Sequence, residues 1–230
     1  MSSAELSLAP SFLFYRTSIL LLAINGCCFG QGLGTVMIRA RFEEQERHGA
    51  AFCISSCGET KAYLATAEHV VRNIEAGAIQ VLISPNEQWA GISRIVFKDL
   101  AADIAVLEIS GPLPRPRLSR GAEGYLRPGD PVGFKGYIHG KPWTGSKGLR
   151  VSLPQQDRIL LYGGVLSGQS GGPLWDRYGN TIGLNSKTDE AVTISRIQEI
   201  IAKKTKETNE NIQISGSERY MGGPFLSGRQ

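Results

Sequence analysis

Residues 167–174 read SGQSGGPL, that is Ser167-Gly168-Gln169-Ser170-Gly171-Gly172-Pro173-Leu174. Glycine and proline at this density make a sharp turn, and a turn that carries serine admits two readings. It is plain punctuation between strands, or it holds Ser170 out as a nucleophile. The spacing Gly168-x-Ser170-x-Gly172 also fits the strained elbow that carries a nucleophilic serine in a different architecture. The partners available elsewhere in the chain decide between them.

A serine hydroxyl becomes a useful nucleophile only when a base takes its proton, and a histidine base needs a third group to hold its tautomer. The chain has three histidines, His48, His69 and His139, and all precede Ser170. An α/β-hydrolase elbow has its histidine after the serine, so that architecture is excluded. The subtilisin order puts an aspartate before the histidine. The first aspartate here is Asp99, which excludes that order for His48 and His69. The order His, Asp, Ser survives. His48 sits in the charged run Gln45-Glu46-Arg47-His48 and reads as a surface residue; His139, between Ile138 and Gly140, reads as loop.

His69 closes the strand-like run Leu64-Ala65-Thr66-Ala67-Glu68-His69-Val70-Val71, and Asp103 opens Ala102-Asp103-Ile104-Ala105-Val106-Leu107, whose apolar character would partly bury a carboxylate. Alone, each motif is a turn or a strand end. In this order and with these flanks, the three resemble the chymotrypsin-like (trypsin-like) serine protease family, in particular its Deg/HtrA-type bacterial branch, over about residues 34–206. The resemblance implies a serine endopeptidase working through an acyl-enzyme, with His69 as base and then acid, Asp103 orienting it, and Ser170 as nucleophile. It implies an oxyanion hole from the backbone N–H groups of Gly168 and Ser170, and no metal or cofactor. Deg-type relatives can hold that hole collapsed, so the alternative expectation is a protease-like binding or scaffolding module with a resting or misaligned triad.

The rest of the chain fits an all-β protein. Glycines are spread between short β-branched runs, with about six strand candidates between residues 34 and 111. Pro112, Pro114 and Pro116 then read as a linker, and a second series of about six follows from Asp130. The expected fold is two six-stranded Greek-key β-barrels of the chymotrypsin type with a C-terminal helix. Barrel one spans about 34–111, the linker 112–126, barrel two about 127–194 and the helix 195–206, together a protease domain over 31–206. Ser195 is the expected helix cap, with Ile197, Ile200 and Ile201 on one face. Residues 207–230 are polar and glycine-rich and read as a disordered tail. No repeat or appended peptide-binding domain of the PDZ kind is expected within these 230 residues.

Residues 1–30 read as a signal peptide or anchor. Arg16 precedes the apolar run Ser18 to Ile24, and Cys28-Phe29-Gly30 offers small residues before a cut at Gln31. Ile24-Asn25-Gly26-Cys27 is a loose lipobox. The implied location is periplasmic or secreted, with membrane contact only through this segment if it is uncleaved or lipidated. Cys53 and Cys57 flank Ile54-Ser55-Ser56, a hairpin tip, and two readings stay open: a disulfide or two reduced thiols. The net charge of +4 is concentrated in 113–158. No helix or aromatic platform organises it, so a solvated surface is expected and no nucleic acid partner. The expected partners are protein or peptide substrates, and the resemblance allows a homo-oligomer.

Gln169 departs from the digestive branch, where an aspartate pairs with a newly cut N-terminus. No zymogen switch of that kind is therefore expected. The substrate pocket is expected along Gly164, Val165, Leu184, Asn185 and Ser186. Without an acidic residue there, a preference for Arg or Lys is not expected, and small or medium apolar residues are.

Overall fold

Runs of β-branched residues bounded by glycine take the extended conformation, and in the computed structural model of the protein they form two antiparallel lobes. The structure describes residues 34–54, 60–83, 88–92, 94–114, 116–138, 141 and 144–208. The first lobe holds β1 (Thr35–Phe42), β2 (Gln45–Cys53), β3 (Lys61–Thr66), β4 (Ile79–Ile83), β5 (Gln88–Gly91), β6 (Arg94–Asp99) and β7 (Ile104–Ser110). These form one sheet in the order β5-β4-β1-β2-β3-β7-β6. The second lobe holds β8 (Pro131–Gly136), β9 (Thr144–Pro154), β10 (Arg158–Tyr162), β11 (Pro173–Trp175), β12 (Thr181–Lys187) and β13 (Glu190–Thr193). Its strands close into a barrel in the order β10-β13-β12-β11-β8-β9. A C-terminal helix, α1 (Ile194–Thr208), follows directly.

The all-β, two-lobed fold with a C-terminal helix is as expected from the sequence. The first lobe differs in detail, with seven strands in a sheet that is not closed among the described residues. β5 and β6 are separate strands, divided at Ile92. Ile92 donates its N–H to the Ile79 carbonyl at 3.2 Å, which ends the pairing of β5 with β4 before β6 sets out along β7. The linker is docked on the second lobe. Thr181 N–H donates to Arg117 O at 2.7 Å and Ser119 N–H to Thr181 O at 2.8 Å.

The helix cap also differs. Arg196 N–H donates to Thr193 Oγ1 at 3.1 Å, so Thr193 caps α1 and the helix begins at Ile194. Ser195 Oγ instead accepts the Gly121 N–H at 2.9 Å and ties the linker to the helix. Ile197, Ile200 and Ile201 do share a buried face, in one cluster with Ile38, Leu64 and Leu107 of the first lobe. Phe134, Val151, Ile159 and Leu174 fill the second barrel.

The two lobes meet along β1, β2 and the turns of the second barrel. Tyr137 is buried against Met37, Ala50 and Leu82, and its hydroxyl donates to the Thr35 carbonyl at 3.1 Å. Cys53 forms a disulfide, and its partner lies outside the described residues, as do Cys57, His139, the leader segment and the tail beyond Thr208. Thr193→Ala removes the cap of α1 and should lower the unfolding free energy by about 1 kcal/mol. Urea denaturation should show a lower midpoint at unchanged slope.

Candidate active site

His69 stands in a short 3-10 turn, Glu68–Val70, directly after β3. Val70 and Val71 bury their side chains beneath it. Arg47 fastens the next residues from outside, its guanidinium donating to the Arg72 carbonyl at 3.1 Å. Asp103 ends the turn between β6 and β7 with φ 57°, a left-handed conformation that costs a residue with a Cβ about 1 kcal/mol. Asp99 supports that turn by accepting the Ala102 N–H at 2.9 Å. The bent backbone directs the Asp103 carboxylate back toward His69.

The contacts fix the chemistry of the pair. Asp103 Oδ1 accepts the His69 backbone N–H at 2.9 Å, and its carboxylate meets His69 Nδ1 at 2.9 and 3.1 Å. A carboxylate only accepts, so Nδ1 carries the proton, and in the neutral ring Nε2 is the nitrogen left with a lone pair. Ser186 Oγ on β12 donates to Oδ2 at 2.6 Å, from the second lobe. Burial alone would raise the Asp103 carboxyl, but the hydrogen bonds from the His69 ring, the Ser186 hydroxyl and the His69 N–H outweigh it. The net displacement is downward, and Asp103 is held ionised.

Ser170 sits in the turn before β11, and this turn is held from three sides. Ala50 N–H on β2 donates to Ser170 O at 2.8 Å, and Thr66 Oγ1 donates to Ala50 O at 2.7 Å. Asn185 brackets it from β12. Its carbonyl accepts the Gly171 N–H at 2.7 Å, its N–H donates to Gly172 O at 2.9 Å and its side-chain amide donates to Gln169 O at 3.1 Å. Gln169 is buried and closes the turn on itself: its Oε1 accepts the Leu166 N–H at 2.8 Å, and its own N–H donates to Leu166 O at 3.1 Å. Two glycines are required by close approach. A Cβ at Gly168, with φ 90°, would run into the Tyr137 carbonyl, and one at Gly171, with φ 84°, into the Ala50 carbonyl and the Thr66 hydroxyl. The N–H groups of Gly168 and Ser170 have no acceptor among the described residues.

His69, Asp103 and Ser170 line one cavity of about 680 Å³. No hydrogen bond joins Ser170 Oγ to His69 among the described residues. Of the expected pocket residues, Val165 and Ser186 line this cavity, whereas Gly164 does not. Leu184 and Asn185 are buried and do not line it either. Leu184 packs into the core, and Asn185 is consumed by the serine turn. The open part of this segment begins at Ser186 and continues through Lys187 and Thr188. Arg72, Leu100 and Arg158 also line the cavity, and the sequence reading did not include them. Arg72 was within reach, three residues after His69 and just past its turn. Arg158 had no local signal, because β10 brings it in. Among the described residues no group of three or more His, Cys, Asp or Glu is placed to hold a metal ion, and no helix is long and apolar enough to cross a membrane.

The sequence profile of the trypsin-like peptidase domain matches residues 49–184, more than half of the chain. The chain belongs to that family of trypsin-like peptidase domains, and its relatives include Deg/HtrA-type serine proteases. It is 30% identical over 158 residues to a "probable periplasmic serine endoprotease DegP-like" of Pseudomonas putida strain F1, covering 64% of this chain and 30% of that protein. It is 29% identical over 140 residues to "serine protease Do-like HtrB" of Bacillus subtilis strain 168, covering 55% of this chain and 30% of that protein. The chain thus spans about 30% of the length of these curated relatives. The fold is that of the serine endoprotease from Yersinia pestis, with TM-score 0.66 at 20% identity over 78% of this chain and 65% of that one. It is also that of the HtrA-type protease AlgW with a tripeptide, with TM-score 0.64 at 22% identity over 79% and 62%.

A depressed folded-state carboxyl contributes stability that is complete above the ordinary carboxylate range and is lost as pH falls through the folded value. Asp103 is such a group. Ser186→Ala should therefore cost roughly 1.5–3 kcal/mol at pH 7, the worth of a hydrogen bond to a charged group. That difference from wild type should narrow as pH falls below about 4. Urea titrations of both proteins at several pH values measure it.

Proposed function

We propose that the protein is a serine endopeptidase in which His69, Asp103 and Ser170 form the catalytic triad. The observation that carries this is the Asp103 carboxylate bound to His69 Nδ1 at 2.9 Å, beside a cavity that Ser170 also lines. With Nδ1 protonated, Nε2 takes the Ser170 proton as Oγ attacks the scissile carbonyl. The N–H groups of Gly168 and Ser170, without acceptors among the described residues, receive the developing oxyanion. His69 then protonates the leaving amine, and water, deprotonated by the same nitrogen, hydrolyses the acyl-enzyme. The peptidase unit is residues 31–206, and its substrates are proteins or peptides.

The apolar leader over 1–30 and the periplasmic designation of the Pseudomonas relative support an exported protein. Gln169 bears on control. Its amide oxygen is already used on Leu166 within the same turn, and no carboxylate stands there to receive a new N-terminus. The serine turn is thus held without a zymogen switch of the trypsin kind. One observation favours a second reading, a resting or purely binding form: Ser170 Oγ and His69 are not hydrogen-bonded. Such bonds are often long before substrate arrives.

A fluorophosphonate probe should label the wild-type protein and not Ser170→Ala, whether or not the N-terminus carries an extension. Asp103→Asn should lower kcat on a cleaved peptide by on the order of 10⁴, because the wrong His69 tautomer is then held. No labelling of a folded wild-type protein would remove the peptidase reading in favour of the binding one. Labelling only after release of a new N-terminus would overturn the account of Gln169.

A further inference from the structure

We infer that the cleft selects peptides carrying an acidic side chain close to the bond presented to Ser170. This rests on the cleft being the substrate site, but not on the chemistry that follows. Three cations, Arg72, Arg158 and Lys187, line the cavity that His69 and Ser170 share. Asp103 is the one carboxylate among the described lining residues, and its oxygens are occupied by His69 and Ser186.

The carboxylates that accompany these cations do not line the cavity. Glu68 is buried behind Arg72 at 2.6 Å. Glu190 serves two cations, standing 2.7 Å from Arg158 and 3.5 Å from Lys187. Among the described residues the ion pairs of that wall set one carboxylate against two cations, and Asp189, exposed on the same hairpin, pairs with neither and does not line the cavity. The Arg158 pair is close but poorly aligned, since its buried Nη1 makes no hydrogen bond. Lys187 has a side chain 62% exposed, free to turn toward a ligand. The wall therefore offers cations that an anion on a bound chain can engage. Leu100 and Leu166, both exposed and both lining the cavity, supply apolar surface for that chain's stem. A basic side chain placed there would meet like charge.

The experiment uses fluorescein-labelled decapeptide pools of uncharged residues with a single central Glu, Gln or Lys. Binding is measured by anisotropy on Ser170→Ala protein, and cleavage of the same pools on wild type. The Glu pool should bind roughly fivefold tighter than the Gln pool and the Lys pool more weakly than both, as expected for one opposite charge at a solvated site. The advantage should fade toward 1 M salt, where the screening length falls to about 3 Å. Lys187→Glu should reverse the order of the Glu and Lys pools. Lys203→Glu, the same charge change on the exposed face of α1, should leave it as in the parent. Equal affinity for the three pools, or an order that Lys203→Glu shifts as much as Lys187→Glu, would overturn the inference. Fluorophosphonate labelling reports separately on the peptidase reading, so the two fail independently.

Discussion

The carboxylate of Asp103 is where the two halves of the molecule are made to agree. It belongs to the first lobe, on the turn into β7, and it accepts both the backbone N–H and the ring N–H of His69. Its Oδ2, the oxygen nearest the His69 ring, also takes the hydroxyl of Ser186, which comes from the second barrel. An ionised carboxylate that is largely buried must satisfy its lone pairs from whatever stands near it. The left-handed backbone at Asp103 is tolerated because these bonds hold it. If either lobe shifted, the charge would lose a donor, so the same group fixes the relative placement of the lobes and the tautomer of the histidine.

The serine turn is the second seam. Ser170 O takes a hydrogen bond from β2 of the first lobe, and the residues around it are bracketed by Asn185 of the second. Close backbone approach leaves no room for side chains at Gly168 and Gly171. The glycines read at first as turn formers are present because carbonyl oxygens of Tyr137 and Ala50 occupy the space a Cβ would need. Gln169, buried and bonded to Leu166, holds the turn from within. Those hydrogen bonds are local, running between Gln169 and Leu166.

Charge in the cleft follows from the same architecture. The strands that carry Arg158 and Lys187 are joined through β13, and Glu190 at its start faces both cations. Arg72 enters from the histidine turn of the other lobe with Glu68 behind it. The carboxylates sit on the protein side of these pairs and the cations on the cavity side. A cleft between two low-dielectric walls makes such an arrangement felt over a longer distance than a surface pair.

Much of this was legible in the sequence, and for identifiable reasons. Strand runs between glycines follow from local patterning, which is why the second barrel holds six strands from Pro131 on, as its series of glycine-bounded runs implies. The order of His69, Asp103 and Ser170 along the chain by itself excludes competing architectures. The division at Ile92 and the capping of α1 by Thr193 escaped because each depends on one hydrogen bond between segments that local propensity cannot rank. Leu184, Asn185 and Ser186 looked alike as a stretch of strand. The fold buries the first, spends the second on the serine turn and gives the third to Asp103. Arg158 reaches the cleft only because barrel closure carries β10 there. The order of the chain determined which residues are available for chemistry; the packing of one lobe on the other decided which of them face the cavity, because a side chain's direction is set by the neighbours that its backbone must satisfy.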